Sequence, residues 1–237
     1  MKGNYKEALI DTFLLMDTLL WSEDGISEIM EITDEVREME GKEPLQPGDE
    51  ELIDCDALAK GCTANVLLIK NKKLYAANAG DSRSIAISKD SKTINLSCDH
   101  KPDNDEELAR IRKAGGKVVK GRVEGMLNLS RALGDLKFKS NGKLRPEQQM
   151  VTAYPGISIK EITSDLFYVV MGCDGIYETK SSKQVGSFVC NTIKNDPTAK
   201  LTEIGAQLMD STISPDFRKT AGVGCDNMTC ILIKFKH

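Results

Sequence analysis

The hydrophobic pattern of the sequence changes its period near residue 60, and this change restricts the chain to folds that combine helices with strands. Before residue 60, apolar residues recur every three or four positions over residues 5–21 and 26–39, which predicts two amphipathic helices. After it, short β-type runs alternate with tight turns at residues 66–69, 74–79, 84–87, 117–119, 167–173 and 228–235. Strands outnumber helices and come mostly as hairpins, so we expect mainly antiparallel sheets covered by helices.

Three more helices are predicted between these runs, over residues 104–114, 181–194 and 201–210. In the first of them, Asp103 or Asn104 suits the N-terminal cap. Glu106 and Glu107 suit its first turn, where acidic side chains interact favourably with the helix dipole. Residues 40–51 contain two prolines and two glycines, which predicts a mobile acidic loop.

The composition excludes several classes of protein. With 40% hydrophobic and 29% charged residues, the chain can bury a core, unlike a disordered or fibrous protein. Its net charge of −4 disfavours a nucleic-acid binder that relies on neutralising phosphates. The longest apolar run, residues 166–173, is far shorter than the roughly 18 residues of a membrane span, and acids interrupt the first apolar stretch, so no secretory signal is expected. We therefore expect one domain over residues 1–237, in the cytoplasm or the nucleus.

The seven cysteines have irregular spacing and include no Cys-x-x-Cys pair. Cys225 and Cys230 lie on what the pattern predicts to be one strand, five residues apart, so their side chains would point to opposite faces and could not share a metal. There are only two histidines, one of them the terminal residue, so no zinc site is expected. The thiols are typical of small buried residues in a reducing compartment.

Three aspartates lie next to apolar runs and beside a glycine or an asparagine: Asp81, Asp174 and Asp226. Each is expected at one end of a buried strand, where a rigid scaffold can present reactive groups. Asp-Gly and Asp-Asn also form ordinary turns, and spacing alone does not decide whether the three side chains converge. If they do, clustered carboxylates without histidine or cysteine indicate a site for Mg²⁺ or Mn²⁺ rather than for zinc or copper.

Two such ions about 3.5–4 Å apart can activate a shared water and hold a phosphate, which would support hydrolysis of a phosphate ester. Two other candidate residues are weaker. His100 could act as an acid or a base, but a lone histidine in a turn is more often structural. Cys173 could be a nucleophile, yet no Cys-x₅-Arg phosphate loop follows it. The glycine-containing stretches at 121–125 and 222–224 match neither a P-loop nor a dinucleotide fingerprint.

Six short motifs follow one another along the chain. They are Gly61-Cys62-Thr63-Ala64, Gly80-Asp81-Ser82-Arg83, Asp99-His100-Lys101-Pro102, Leu129-Ser130-Arg131-Ala132-Leu133-Gly134-Asp135, Cys173-Asp174-Gly175-Ile176-Tyr177-Glu178 and Asp226-Asn227-Met228-Thr229. In this order they resemble the metal-dependent protein phosphatases of the protein phosphatase 2C family, and the resemblance covers nearly the whole chain. It implies an α+β fold, an α-β-β-α sandwich of two antiparallel sheets flanked by helices. It also implies removal of phosphate from phosphoserine and phosphothreonine in proteins by a water activated by two Mg²⁺ or Mn²⁺ ions.

The resemblance assigns roles to individual residues. Asp174 and Asp226 would be carboxylate ligands of the two-metal centre, and Asp81 would serve a more weakly bound third metal. Residues 137–149 would form the variable flap beside the site, which can contribute substrate selectivity. Arg131 and Asp135 would be scaffold of that neighbourhood rather than catalytic residues.

The sequence also departs from the family pattern. The family's early phosphate-binding arginine and its Asp-Gly-His-Gly-Gly motif, with the proposed acid histidine, have no counterpart in this chain, so no catalytic residue is assigned. The chain is therefore expected to be N-terminally incomplete and to expose unpaired sheet edges through which it could associate. Glu178 replaces the family's usual aspartate and puts a water-mediated metal role in doubt.

Two hypotheses of different classes follow. The first is a metal-dependent protein serine/threonine phosphatase acting on phosphorylated proteins. The alternative is a catalytically incomplete family member, or short form, that binds phosphoproteins or other partners. An Asp-Gly-His-Gly-Gly motif upstream of Met1 would favour the enzyme, and a genuine start at Met1 would favour the binding module.

Overall fold

The structure is a computed structural model, and it describes residues 3–44 and 59–236. The chain forms two compact units, each built from two stretches of sequence. Unit 1 comprises Met1–Ala64 and His100–Pro155, and unit 2 comprises Asn65–Asp99 and Gly156–His237. Because each unit combines distant stretches, a change of composition along the chain would not reveal them. One domain over residues 1–237 stays a prediction.

Unit 1 begins with the two predicted amphipathic helices, which are confirmed as α1 (Tyr5–Leu20) and α2 (Glu23–Met39). Side chains cap both N-termini. Asn4 accepts a hydrogen bond from the backbone N–H of Glu7, and Ser22 accepts one from Gly25, at 3.3 and 3.1 Å. Such caps satisfy N–H groups that have no partner within the helix.

The rest of unit 1 consists of short elements around a small core. The two-residue strands β1 (Gly61–Cys62) and β8 (Leu133–Gly134) pair with each other, as do β6 (Val118–Val119) and β7 (Arg122–Val123). The predicted helix near residue 104 is confirmed as α3 (Asp105–Lys113). Two 3₁₀ turns follow, Leu136–Lys139 and Pro146–Gln148. The core contains Ile111, Val123, Ala132, Phe138 and Val151.

Unit 2 contains two sheets. The four-stranded sheet has the order β11 (Cys230–Lys234), β10 (Leu166–Gly172), β4 (Arg83–Ser88), β5 (Thr93–Asn95), and the three-stranded sheet has the order β2 (Ala64–Lys70), β3 (Lys73–Ala79), β9 (Gly156–Glu161). Asn71 and Lys72 join β2 to β3 with φ angles of 51° and 57°. Positive φ at both central residues is the geometry of a type I′ hairpin turn.

Apolar side chains fill both sides of the four-stranded sheet. Leu74 and Ala76 of β3 pack with Ala86, Val169 and Met171 of β4 and β10, so the two sheets face each other across this cluster. On the other face, a second cluster joins the sheet to three helices, α4 (Asp174–Tyr177), α5 (Ser182–Asn195) and α6 (Leu201–Asp210). The predicted α+β fold with antiparallel sheets is therefore confirmed.

The prediction that Cys225 and Cys230 share a strand is wrong. Strand β11 begins only at Cys230, and Cys225 lies in the turn that follows the short helix α7 (Phe217–Thr220). Gly222 and Gly224, with φ angles of 90° and 79°, hold the chain in this turn, so Cys225 lies outside the extended strand. Most of the predicted loop at residues 40–51, like Cys55, lies outside the described residues.

Candidate active site

The strand register brings the ends of three neighbouring strands together along one border of the four-stranded sheet. We call this border, which is formed by strand ends and not by an outermost strand, the aspartate edge. Gly172, the last residue of β10, pairs with Arg83, the first residue of β4, and with Cys230, the first residue of β11. Asp81 lies two residues before β4, Asp174 two residues after β10, and Asp226 four residues before β11. The three predicted carboxylates therefore share one edge of one sheet, which spacing in the sequence could not establish.

The segments carrying Asp174 and Asp226 are in direct contact. The Cys173 thiol donates to the carbonyl of Asn227 at 3.4 Å and accepts from the Thr229 N–H at 3.2 Å. A Cβ at Gly175 would lie only 2.5 Å from the Asn227 carbonyl oxygen, so this approach requires glycine. The two aspartates are thus held on adjacent, closely packed segments.

The three carboxylates differ in exposure. Asp81 is buried, Asp174 is half-buried and Asp226 is exposed. Asp174 accepts a hydrogen bond from the N–H of Gly175 at 3.0 Å, and Asp226 accepts one from Asn227 at 2.8 Å. These short-range bonds fix one oxygen of each carboxylate close to its own backbone.

The donor chemistry at this edge suits a hard divalent cation. Within the described ranges, no three His, Cys, Asp or Glu side chains lie close enough together to hold a metal ion. Mg²⁺, however, is commonly bound by only one or two protein carboxylates and keeps several of its waters. A pair of carboxylates on adjacent segments therefore fits such an ion, with the buried Asp81 as a separate donor at the same edge.

Arg83 connects the elements that carry the site. Its guanidinium donates two hydrogen bonds to Asp99, at 2.8 and 2.7 Å, and a third to the hydroxyl of Ser182 at 3.0 Å. It also lies 4.6 Å from the centre of the Tyr177 ring, at the end of the helical turn that Asp174 begins. The hydrogen bonds to Asp99 raise the pKa of Arg83. Sequence reasoning left this residue without a role, although it follows Asp81 by two positions.

The backbone groups of His100 and Glu178 stabilise the local structure around each residue. His100 is buried in unit 1, and its carbonyl oxygen accepts from the Ser130 N–H at 3.1 Å. Glu178 is exposed, and its backbone N–H closes the turn of α4 by donating to the carbonyl of Asp174 at 2.7 Å.

Sequence reasoning missed a buried charged cluster in unit 1. Glu107 is only 2% exposed and accepts hydrogen bonds from Arg131, Arg110 and the Ser130 hydroxyl, with the shortest to each arginine at 2.5 and 2.8 Å. Burial alone would raise the pKa of Glu107, but the two arginines outweigh it and lower the pKa to about 2. Arg131 also donates to the carbonyl of Tyr154, in keeping with the scaffold role expected for it.

The segment expected to form a flap is partly packed into unit 1. Phe138 is buried, and Lys139 pairs with Asp17 of α1 at 2.5 Å and donates to the carbonyl of Ala132. Burial lowers the pKa of Lys139, although Asp17 opposes this. Asp135 is also buried, with its carboxylate against Gly61, and burial raises its pKa. A structural role for this neighbourhood follows from these contacts.

The chain is similar to known phosphatases. The family model described as "Protein phosphatase 2C" matches residues 9–220. "Probable protein phosphatase 2C 6" of Paramecium tetraurelia is 41% identical over 233 residues, which cover 98% of this chain and 71% of that protein. "Protein phosphatase 1G" of Homo sapiens is 45% identical over 203 residues, covering 84% of this chain and 35% of that protein.

A solved structure, that of a phosphatase from a pathogenic strain of Toxoplasma gondii, superposes with a TM-score of 0.59 at 34% identity. The match covers 70% of this chain and 50% of that one, so the aligned region is about half of the solved chain. Within the described residues, no helix is both long and apolar enough to cross a bilayer.

Proposed function

Because this chain belongs to the protein phosphatase 2C family, we propose that it functions in the metal-dependent hydrolysis of phosphoserine and phosphothreonine in proteins. The observation that carries the proposal is the common edge of β4, β10 and β11, with Asp81, Asp174 and Asp226 beside it. Carboxylates gathered at one rigid edge are suited to holding divalent cations that face a phosphate.

Asp174 and Asp226 would hold the two ions, which we propose to be Mg²⁺ or Mn²⁺, and Asp81 would serve a third, weaker site. When bound, such ions lower the pKa of a water and neutralise charge on a phosphate. The chain itself orients the donors. The Asn227 carbonyl packed against Gly175 fixes the distance between the two segments, and Arg83 holds the turn that begins with Asp174.

Isothermal calorimetry with Mn²⁺ tests the ligand assignment. Asp174→Asn and Asp226→Asn keep the size of the side chain but remove its charge, so each is expected to weaken binding at least tenfold. The matched control is Asp165→Asn, an exposed aspartate at the opposite end of β10. Unchanged binding in both site variants would refute the assignment.

The second candidate function is that of a catalytically incomplete family member that acts as a binding module. It is favoured by the geometry of the described residues, among which no three His, Cys, Asp or Glu side chains lie close enough together to hold a metal ion. In that case the residues would bind a phosphoprotein without hydrolysing it at a useful rate. Hydrolysis of a phosphoserine peptide distinguishes the enzyme from the binding module. An activation barrier about 4 kcal/mol higher reduces the rate roughly a thousandfold. A rate near that of the phosphatases it resembles, abolished by Asp174→Asn, would exclude the binding-module role.

We also propose association through sheet edges. Within the described strands, β2 and β11 each lie at one side of their sheet, and Val66, Ile69 and Ile231 on them are 40–50% exposed. Open apolar edge strands pair readily with other strands. A sharp, cooperative melt of a strictly monomeric protein at high concentration would argue against this.

The state of the cysteines is relevant to the location of the protein in the cell. All six within the described residues are free thiols, which supports the proposal of a reducing compartment, the cytoplasm or the nucleus. Fluorescence microscopy of a tagged protein would test this, and secretion of the tagged protein would contradict it.

A further inference from the structure

Helix α2 of unit 1 carries an exposed apolar row flanked by acids. Ile32, Val36 and Met39 are 51%, 47% and 86% exposed and are spaced four and three residues apart, so they lie on one face of the helix. We call this face, together with its neighbouring acids, the acidic stripe. Those acids are Glu28, Glu31, Glu35 and Glu38, all exposed. Over its length α2 has seven acidic residues and one basic residue, a net charge of −6.

A second surface of unit 1 has the opposite charge. Residues 112–122, which run from the end of α3 to the hairpin of β6 and β7, contain five basic residues and no acid. We call this surface the basic patch; its cations, all exposed, are Arg112, Lys113, Lys117, Lys120 and Arg122. None of the five forms a side-chain ion pair with another described residue. Two carboxylates adjoin the patch, since Glu124 accepts from the Lys117 N–H and Asp103 lies beside Gly121.

The basic patch also has an apolar centre. Val119 is 42% exposed and Met126 is 54% exposed. They lie close together, because a Cβ on Gly125 would be 3.9 Å from the Cβ of Val119 and the carbonyl of Met126 accepts from Arg122 at 2.8 Å. The opposite face of the hairpin is buried through Val123, so only this outward face is open to a partner.

We propose that the basic patch binds the acidic stripe of a second copy of this chain. Each surface combines apolar side chains with one sign of charge, and the two signs are opposite, so the surfaces are complementary in both respects. Both are exposed in the same molecule, so they are not engaged with each other within one chain. Because the two surfaces differ, the contact is heterologous and joins copies head to tail. The proposal does not depend on the phosphatase activity.

Electrostatic attraction distinguishes this contact from association through sheet edges. Raising the salt concentration from 0.1 to 1 M shortens the Debye length from about 10 to about 3 Å and screens exposed charges. Association between stripe and patch should therefore weaken at high salt, whereas apolar strand pairing should not.

Sedimentation velocity with charge-reversed variants of the full chain tests the proposal. Lys117→Glu/Lys120→Glu lowers the formal charge of the patch from +5 to +1, and Glu31→Lys/Glu35→Lys reduces that of α2 from −6 to −2. Each should weaken low-salt association at least tenfold, because most of the electrostatic attraction is lost. The control, Lys89→Glu/Lys183→Glu, makes the same change of net charge at exposed positions of unit 2 and should associate as the wild type does.

A further sample combines all four substitutions in one chain, so that a patch of formal charge +1 meets a helix α2 of charge −2. It should associate least of all, while circular dichroism melts show that every variant folds. Mn²⁺ binding should be the same in all of them, so a failure here is separate from a failure of the proposed metal site. The proposal is overturned if the wild type stays monomeric up to about 0.5 mM, near the weak end of specific binding, or if the combined variant associates as the wild type does. It is equally overturned if association is insensitive to salt and to the reversals, which would assign it to the sheet edges.

Discussion

The buried cluster around Glu107 and the aspartate edge of the four-stranded sheet use carboxylates in opposite ways. Glu107 is held between two arginines with almost no access to water, so its charge is satisfied within the fold. Asp174 and Asp226 accept hydrogen bonds from their own neighbouring backbone and retain access to solvent. The first arrangement fixes structure, and the second leaves carboxylate oxygens that a cation can reach.

Removing the charge of Glu107 should give the largest loss of stability. Glu107→Gln leaves two buried guanidinium groups without their counter-charge, and breaking a buried pair in this way costs about 3–5 kcal/mol. Urea unfolding measures the change. The matched control is Glu147→Gln, which removes the partner of Arg145 in an ion pair that is far more exposed than the Glu107 cluster and should cost less than about 1 kcal/mol. Equal losses in the two variants would mean that the cluster contributes little.

Lowering the pH should reduce the stability that the Glu107 cluster contributes. The folded pKa of Glu107 is lowered from 4.5 to about 2, so the unfolded chain binds the additional proton between these values. Its contribution, on the order of 3 kcal/mol, is fully present above pH 4.5 and is lost as the pH falls towards 2. Unfolding followed from pH 6 to pH 2.5 should show this loss in the wild type and a smaller one in Glu107→Gln.

Arg83→Lys tests the aspartate edge and should have an intermediate effect on stability. Lysine keeps the charge but cannot donate to both oxygens of Asp99 while contacting Ser182 and the Tyr177 ring, so a loss of about 2 kcal/mol is expected. Mn²⁺ affinity should fall with it, because the turn beginning at Asp174 loses its support. Ser182→Ala removes only one of the hydrogen bonds and should cost about 1 kcal/mol, with Mn²⁺ binding retained.

The smallest effect is expected at Tyr177. Its hydroxyl is buried and has no hydrogen-bond partner within the described part of the chain. Tyr177→Phe removes this buried polar group, so stability should stay the same or rise by up to about 1 kcal/mol. A clear loss in a thermal melt would show that the hydroxyl has a partner, such as a bound water.

The sequence predicted the elements better than their contacts. Helix α1 follows from hydrophobic periodicity and strand β10 from a continuous apolar run, and both patterns are local properties of the sequence. Glu107 was predicted to suit the first turn of its helix, where the structure places it, but its burial was not predicted, although it lies four residues before the buried Ile111 and so on the same face. That spacing was a usable signal. Its partner Arg131 comes from a distant segment, and no local pattern indicates such a contact.

The aspartate edge shows the same limit. The turn residues beside Asp81, Asp174 and Asp226 could be recognised individually, but their common edge depends on strand order and register, which are long-range properties. The absence of a three-ligand group in the described residues could not be predicted either, because the relevant separations lie between side chains on segments next to three different strands.

The pairing of β10 with β11 has a consequence for how mutations can damage the site. Paired strands change alignment in whole residues, each about 3.3 Å along the strand, so Asp226 cannot drift gradually relative to Asp174. A slip of one residue would also turn Ile233 from the space between the sheets towards the helices, exchanging it with Leu232. Misalignment of the two strands at this site therefore occurs in whole-residue steps, and each step disturbs side-chain packing. Sequence variation in β11 should preserve the alternation of its side chains more strictly than their identities.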